Sequence, residues 1–566
     1  MIRKLALALM TAGVGALSAC GGGDDGPSKP SAPAAAVPGE QPGTGGQDKK
    51  PGPPDDSPPP GTDGVSPACQ DCGATAPGTY GGAGVGVWRY INASAKAVNV
   101  PVSIAGLSDK EVTLVFTNAT ATPQAMPAIP LTAKAATPSR LSTLQTTDQP
   151  AAELKRRIAA FNRDGWASML GAPSATSHIA PSLSVRKGTV RDRRTWNDAE
   201  NRPHEATLVR QLQASDGSVV NFWVEDGEHA PARVSEAILD RMADWLAGPG
   251  KLYDKLKSVG GPLWGPHPYA ELIAGQGQPL NIVILNFKQD GNAYGVLGYF
   301  YSRDLFKRNA ENVFGNEAVA LYFDSETMYL GGEEGLKVMG NTLAHEAMHL
   351  QNMYRRGIGI SAAHMFDVWL EEATAMMVED FTGDIIDPTN NIIRDARFYS
   401  YITENGGMYN CNLTTWDTYN RACDPYAVAG SFGGFLNRQL GIDFYKNLLT
   451  SRASADSLRV LDSAIGSASG NSGFAEQFRR FTATSGSLMP ALGVPAGYGF
   501  PARAERGFTL PVIDPRRLLA RRTLLQTVPE TLAPYASVPV VRQSVNGVYQ
   551  ETVAVPPGTL LSVVVQ

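Results

Sequence analysis

Leu343-Ala-His-Glu-Ala-Met-His-Leu350 and Val368-Trp-Leu-Glu-Glu-Ala-Thr-Ala-Met-Met377 are the two stretches whose reading decides the fold. The first holds His345, Glu346 and His349 in the pattern H-E-x-x-H. On a helix, residues four apart lie one above the other, so both imidazoles can reach one zinc ion. Glu346 sits beside them, where it can accept a proton from metal-bound water. With 7 His in 566 residues, chance placement of this pattern is rare. A pair of packed core histidines is the bland alternative.

A catalytic zinc site needs a third protein ligand and an open fourth position. Glu371 and Glu372 compete for the third place. At helical spacing Glu372 has Val368, Trp369, Ala375 and Met376, all apolar, whereas Glu371 has Asp367, Val368, Thr374 and Ala375. A carboxylate on an apolar face is costly unless something pairs with it, and zinc would supply that partner. This selects Glu372 over Glu371.

Outward from these helices the pattern is mixed α/β. Leu208–Gln213 and Val219–Val224 read as a hairpin across Asp216-Gly217. Leu280–Phe287 and Ala318–Phe323 read as buried strands, the second a candidate edge strand for an extended peptide. Val234, Ile238, Leu239, Met242, Trp245 and Leu246 keep helical spacing. Further helices are expected up to Gly357 as a C-terminal cap, then over roughly 362–380, 426–440, 442–450 and 473–483. Short β-rich runs occupy 85–91, 98–104 and 112–116, and short strands return after about 505. The basic stretch 184–196 reads as a solvated connector, with a proteolytic activation site as the alternative.

The N-terminus carries an address. Arg3 and Lys4 precede an apolar run, Leu5–Leu17, that is too short to span a bilayer and ends in Leu17-Ser-Ala-Cys20. This resembles a bacterial lipoprotein signal, which implies lipidation of Cys20, a membrane anchor and an exported protein at the outer membrane or cell surface. Residues 21–70 hold 12 Pro and 11 Gly, and no Leu, Ile, Met, Phe, Tyr or Trp. Such a segment cannot bury enough apolar area to order itself, so it reads as a tether. The other four cysteines form two close pairs. Export would allow a Cys411–Cys423 disulfide, and Cys69–Cys72 reads as a small disulfide clip rather than a metal half-site. The formal charge of −5 offers no footprint for nucleic acid.

The two opening stretches look like the zinc helix and glutamate helix of gluzincin metallopeptidases, and the chain resembles the hyicolysin-like family of secreted bacterial enzymes. Tyr426–Gly441 and Val555-Pro-Pro-Gly-Thr-Leu-Leu-Ser562 add to the likeness, which covers about 205–566. It implies a multidomain chain: an α+β gluzincin-like metallopeptidase domain flanked by small β-rich domains. The expected division is a signal at 1–19, a tether at 20–77, a β-rich domain at 78–150, a connector or pro-region at 151–203, the zinc domain at 204–500 and a second β-rich domain at 501–566. The resemblance also implies a zinc endopeptidase acting on protein or peptide substrates, with one Zn2+ on His345, His349 and Glu372, and Glu346 as base. A surface binding lipoprotein with an inactive peptidase scaffold, and an amidase on peptidoglycan, are the alternatives. One departure stands out. Thermolysin-type enzymes place an Asp four residues after the ligand glutamate, and here that position is Met376, so support for the ligand histidines must come from elsewhere. Tyr426, Tyr419 and His364 are candidates for stabilising the oxyanion. His178, His204, His229 and His267 read as surface or packing residues.

Overall fold

The computed structural model describes residues 64–131, 149–171, 187–420, 422–470 and 472–566. Cys20, the apolar leader, most of the tether and part of the basic stretch lie outside the described residues. None of the described helices is long and apolar enough to cross a membrane.

A six-stranded mixed sheet carries the half of the chain that holds H-E-x-x-H. Its strands lie in the order Gly298–Tyr299, Val319–Asp324, Leu280–Leu285, Val219–Glu225, Pro203–Gln213 and Arg193–Asn197. Val319–Asp324, Leu280–Leu285 and Val219–Glu225 are parallel and buried except at Glu225, which is why they read as apolar runs. The expected hairpin pairs antiparallel as Pro203–Gln213 with Val219–Glu225. Two expectations change here. Val319–Asp324 is an inner strand, and the edge beside it is the two-residue strand Gly298–Tyr299, too short to register as a strand pattern. The sheet also begins before residue 204. Arg193–Asn197, inside the basic stretch, pairs with Pro203–Gln213, and the Arg194 guanidinium stacks 4.0 Å over the Trp196 ring.

Val319–Asp324 runs into the helix Ser325–Leu330, where the Asp324 carboxylate accepts from Thr327 N–H at 2.8 Å as an N-cap. Next comes the metal helix, Gly332–Asn352, and it ends later than Gly357 suggested. A wider π-type turn, Met353–Ile358, carries it onward. Gly357 has another use: a Cβ there would meet Trp166 and Met365 at 2.8 Å. The glutamate helix, Val368–Ile386, packs between the metal helix and the long helix Pro425–Thr450. Gly430 and Gly433 let that last helix approach closely, since Cβ atoms there would meet Met376 and Met377 below 3.0 Å.

The flanking β segments are not two domains. Thr559–Val565, near the C-terminus, lies between Gly86–Ile91 and Val112–Asn118, with Val563 opposite both Trp88 and Leu114. Val545–Val555 pairs with Val98–Lys110 in a second sheet. Together they form one two-sheet body around Trp88, Val100, Ile104, Leu114, Phe116 and Val563. Ser66–Pro67 and Ala74–Ala76 also belong to it, so the ordered body starts inside the expected tether. The helix Phe474–Ser487 joins it to the half with the six-stranded sheet through Thr482 to Thr117 at 2.6 Å and Arg479 to Ser562 at 2.9 Å. Both expected cysteine pairs are disulfides, with Cα separations of 6.0 Å for Cys69–Cys72 and 5.5 Å for Cys411–Cys423.

Candidate metal centre

The helical phase of H-E-x-x-H does what its spacing requires. The His345 and His349 rings stand 4.8 Å apart on one face of the metal helix. Both Nε2 atoms face Glu372: His345 Nε2 lies 3.2 Å from Glu372 Oε2, and His349 Nε2 lies 3.9 Å from Glu372 Oε1. Ligand atoms of His345, His349 and Glu372 all lie within 4.8 Å of one another, and among the described residues no other set of this kind occurs. Tetrahedral zinc with ligands at about 2.0–2.1 Å holds its donors roughly 3.4 Å apart, so the two imidazoles and the carboxylate fit that ion.

The support missing at Met376 comes from two other carboxylates. His345 Nδ1 meets Glu379 Oε1 at 2.5 Å, and His349 Nδ1 meets Glu371 Oε1 at 3.0 Å. Glu371 is itself held by the Asn352 side-chain amide at 3.1 Å. Each imidazole is therefore clamped at Nδ1, which leaves Nε2 aimed at the shared centre. Sequence reasoning missed Glu379, although it lies seven residues after Glu372 and so on the same helix face.

Burial works against a charged His345, but Glu372 and Glu379 outweigh it and push its pKa up to about 10. His349 is raised in the same way, by Glu371 and then Glu372, against burial. Burial alone would raise the Glu372 carboxyl, but the two histidines hold it below its usual range.

Glu346 sits beside the centre with Oε2 accepting from Phe300 N–H at 2.8 Å. Phe300 directly follows the edge strand, so the sheet edge orients this carboxylate. Of the three oxyanion candidates, Tyr426 lies in the field of Glu372 and Glu346. Burial pushes its phenol well above the usual range, and those two carboxylates add to the effect. Trp416 packs edge-on against its ring at 4.8 Å, and the Arg397 guanidinium lies 5.0 Å over it. Asp424 caps the same helix by accepting from Tyr426 N–H at 3.0 Å. The other two candidates are engaged elsewhere: the Tyr419 hydroxyl bonds Glu153 at 3.2 Å, and His364 Nδ1 meets Ser361 Oγ at 2.8 Å. His204 is a packing residue between Asp198 and Glu225.

Comparison with known proteins agrees with this geometry. The peptidase M30 family model matches residues 200–566. The chain belongs to the peptidase M30 family. The M30 match contains every residue of the centre, and the cofactor it implies is zinc. A domain of unknown function (DUF8571) matches residues 67–131, the N-terminal part of the β body. A curated relative, the neutral metalloprotease ShpI of Staphylococcus hyicus, is 27% identical over 192 residues, 33% of this chain and 41% of that protein. Among solved structures, a two-domain M1 zinc metallopeptidase variant bound to L-arginine has a TM-score of 0.25 at 14% identity, covering 50% of each chain. An M1 zinc metallopeptidase from Deinococcus radiodurans has a TM-score of 0.24 at 12% identity, covering 74% of this chain and 73% of that one. A likeness this slight fixes nothing about the M30 fold.

Proposed function

We propose that the protein is a zinc-dependent endopeptidase in which Glu346 serves as general base. The observation that supports this most is the convergence of His345 Nε2, His349 Nε2 and the Glu372 carboxylate, with Glu346 alongside, inside the M30 match. Zinc held by His345, His349 and Glu372 would supply Lewis acidity toward water and a peptide carbonyl. Phe300 N–H holds Glu346 Oε2, leaving Oε1 to take the proton from water and return it to the leaving amine. The Tyr426 phenol keeps its proton, because its burial disfavours the phenolate, and so it can donate a hydrogen bond to developing negative charge. An extended substrate would lie along the Gly298–Tyr299 edge, with its main chain supplying the pairing.

The leader ending at Cys20 supports export and a lipid anchor, which would put this chemistry at the bacterial surface. The decisive test is hydrolysis of casein and of an internally quenched peptide by the purified mature chain. The reading requires activity that a chelator abolishes and added zinc restores. A zinc-loaded, folded chain that cleaves neither substrate in any variant would overturn it.

A further inference from the structure

The centre is nearly closed. His345, His349 and Glu372 side chains are 11%, 12% and 12% exposed, and Glu346 is 8% exposed. A site that cuts polypeptides must admit one to within bonding distance of Glu346. Beside it packs the stretch 149–171, which lies upstream of the M30 match.

This stretch touches both the sheet edge and the helical side next to the centre. On the sheet side, Asn162 Nδ2 donates to the Phe300 carbonyl at 2.8 Å, and Asn162 Oδ1 accepts from Ser302 N–H at 2.8 Å. One side-chain amide thus offers a donor and an acceptor to the edge backbone, as an extended peptide would. It does so directly beside Phe300 N–H, which holds Glu346. Phe161 packs edge-on against Tyr301 at 5.1 Å. On the helical side, Glu153 accepts from the Tyr419 hydroxyl in the Cys411–Cys423 loop at 3.2 Å. Arg163 pairs at 3.1 Å with Asp367, the residue before the glutamate helix. Trp166 is fully buried over Gly357 and anchors the end of the stretch.

We propose that residues 149–171 occupy the substrate cleft and hold the enzyme latent, with Asn162 standing in for substrate main chain at the sheet edge. This rests on the endopeptidase reading. Displacement of the stretch frees the Phe300 carbonyl and Ser302 N–H for a substrate, while Trp166 and the two polar bridges keep it docked.

The test uses the zinc-loaded mature chain, Asn162→Ala, and a double variant, Glu153→Ala with Arg163→Ala. Two rates are read: kcat/KM on an internally quenched peptide, and zinc loss to excess dipicolinate. The proposal expects Asn162→Ala to raise both by at least about tenfold, because the open, binding-competent fraction grows. The double variant should raise both by roughly twofold to fivefold, since exposed pairs contribute less. Its changes are at exposed or half-exposed side chains, so it decides the matter if Asn162→Ala does not fold. Unchanged or lower values of both rates in the folded variants would overturn the proposal and make the stretch a fixed wall of the working site. Faster zinc loss with no peptide cleavage in any form would instead leave the closure standing and defeat the endopeptidase reading.

Discussion

Glu371 and Glu372 are neighbours in sequence, yet a helix turns their side chains about 100° apart. That angle gives them different tasks: Glu372 faces both Nε2 atoms, whereas Glu371 backs His349 at Nδ1. Glu372→Ala should therefore lose its zinc on dialysis, because two imidazoles alone hold the ion far more weakly. Glu371→Ala and Glu379→Ala should still take up one zinc at saturation, but with affinity lower by about 10–100-fold. Competition titration with a chromogenic chelator separates the cases. Loss of metal from Glu371→Ala with normal binding by Glu372→Ala would reverse the assignment. Glu346→Gln keeps an acceptor for Phe300 N–H but cannot take up a proton. It should retain zinc and lower kcat by about 10²–10⁴-fold with little change in KM.

At the scale of elements, the helix Pro425–Thr450 shows how one residue sets a direction. The sequence suggested two helices on either side of Gly441, and the chain does break there, at φ +78°. A Cβ at Gly441 would meet Glu505 and Arg503 below 2.5 Å as well as straining the backbone. Gly441→Ala should cost about 1–3 kcal/mol, read as a lower urea midpoint with an unchanged slope. An unchanged midpoint would mean that the kink is not needed. The edge strand Gly298–Tyr299 makes the opposite point. Its importance lies in Phe300 N–H, a backbone group that no side-chain pattern reports.

Across the whole molecule, stability should depend on pH through His204. Burial opposes its charge, but Asp198 and Glu225 outweigh it and raise its pKa from 6.5 to about 9. The folded state holds this proton more tightly than the unfolded chain. The resulting stabilisation is present in full below pH 6.5 and is lost as pH rises through 9. It amounts to at most about 3 kcal/mol. Thermal midpoints measured from pH 6 to 10 should fall over that window, and His204→Gln should flatten the fall. An equal slope in both proteins would remove His204 as the source.

What the sequence by itself determined was periodic and local. Helical spacing placed His345 and His349 on one face with Glu346 beside them, and the apolar neighbours of Glu372 singled it out from Glu371. A β-rich run marked 98–104, the first part of the strand Val98–Lys110, and sequence proximity paired Cys411 with Cys423. What only the tertiary structure decided was the meeting of residues far apart in the chain. Thr559–Val565 completes a sheet begun by Gly86–Ile91, Glu379 supports His345 where Met376 cannot, and Asn162 covers the edge beside Phe300. The physical reason is the same in each case. A helix or strand period follows from the geometry of a few adjacent peptide units. Sheet pairing and polar clamping instead depend on which surfaces the whole chain brings together, and main-chain donors such as Phe300 N–H are alike in every sequence.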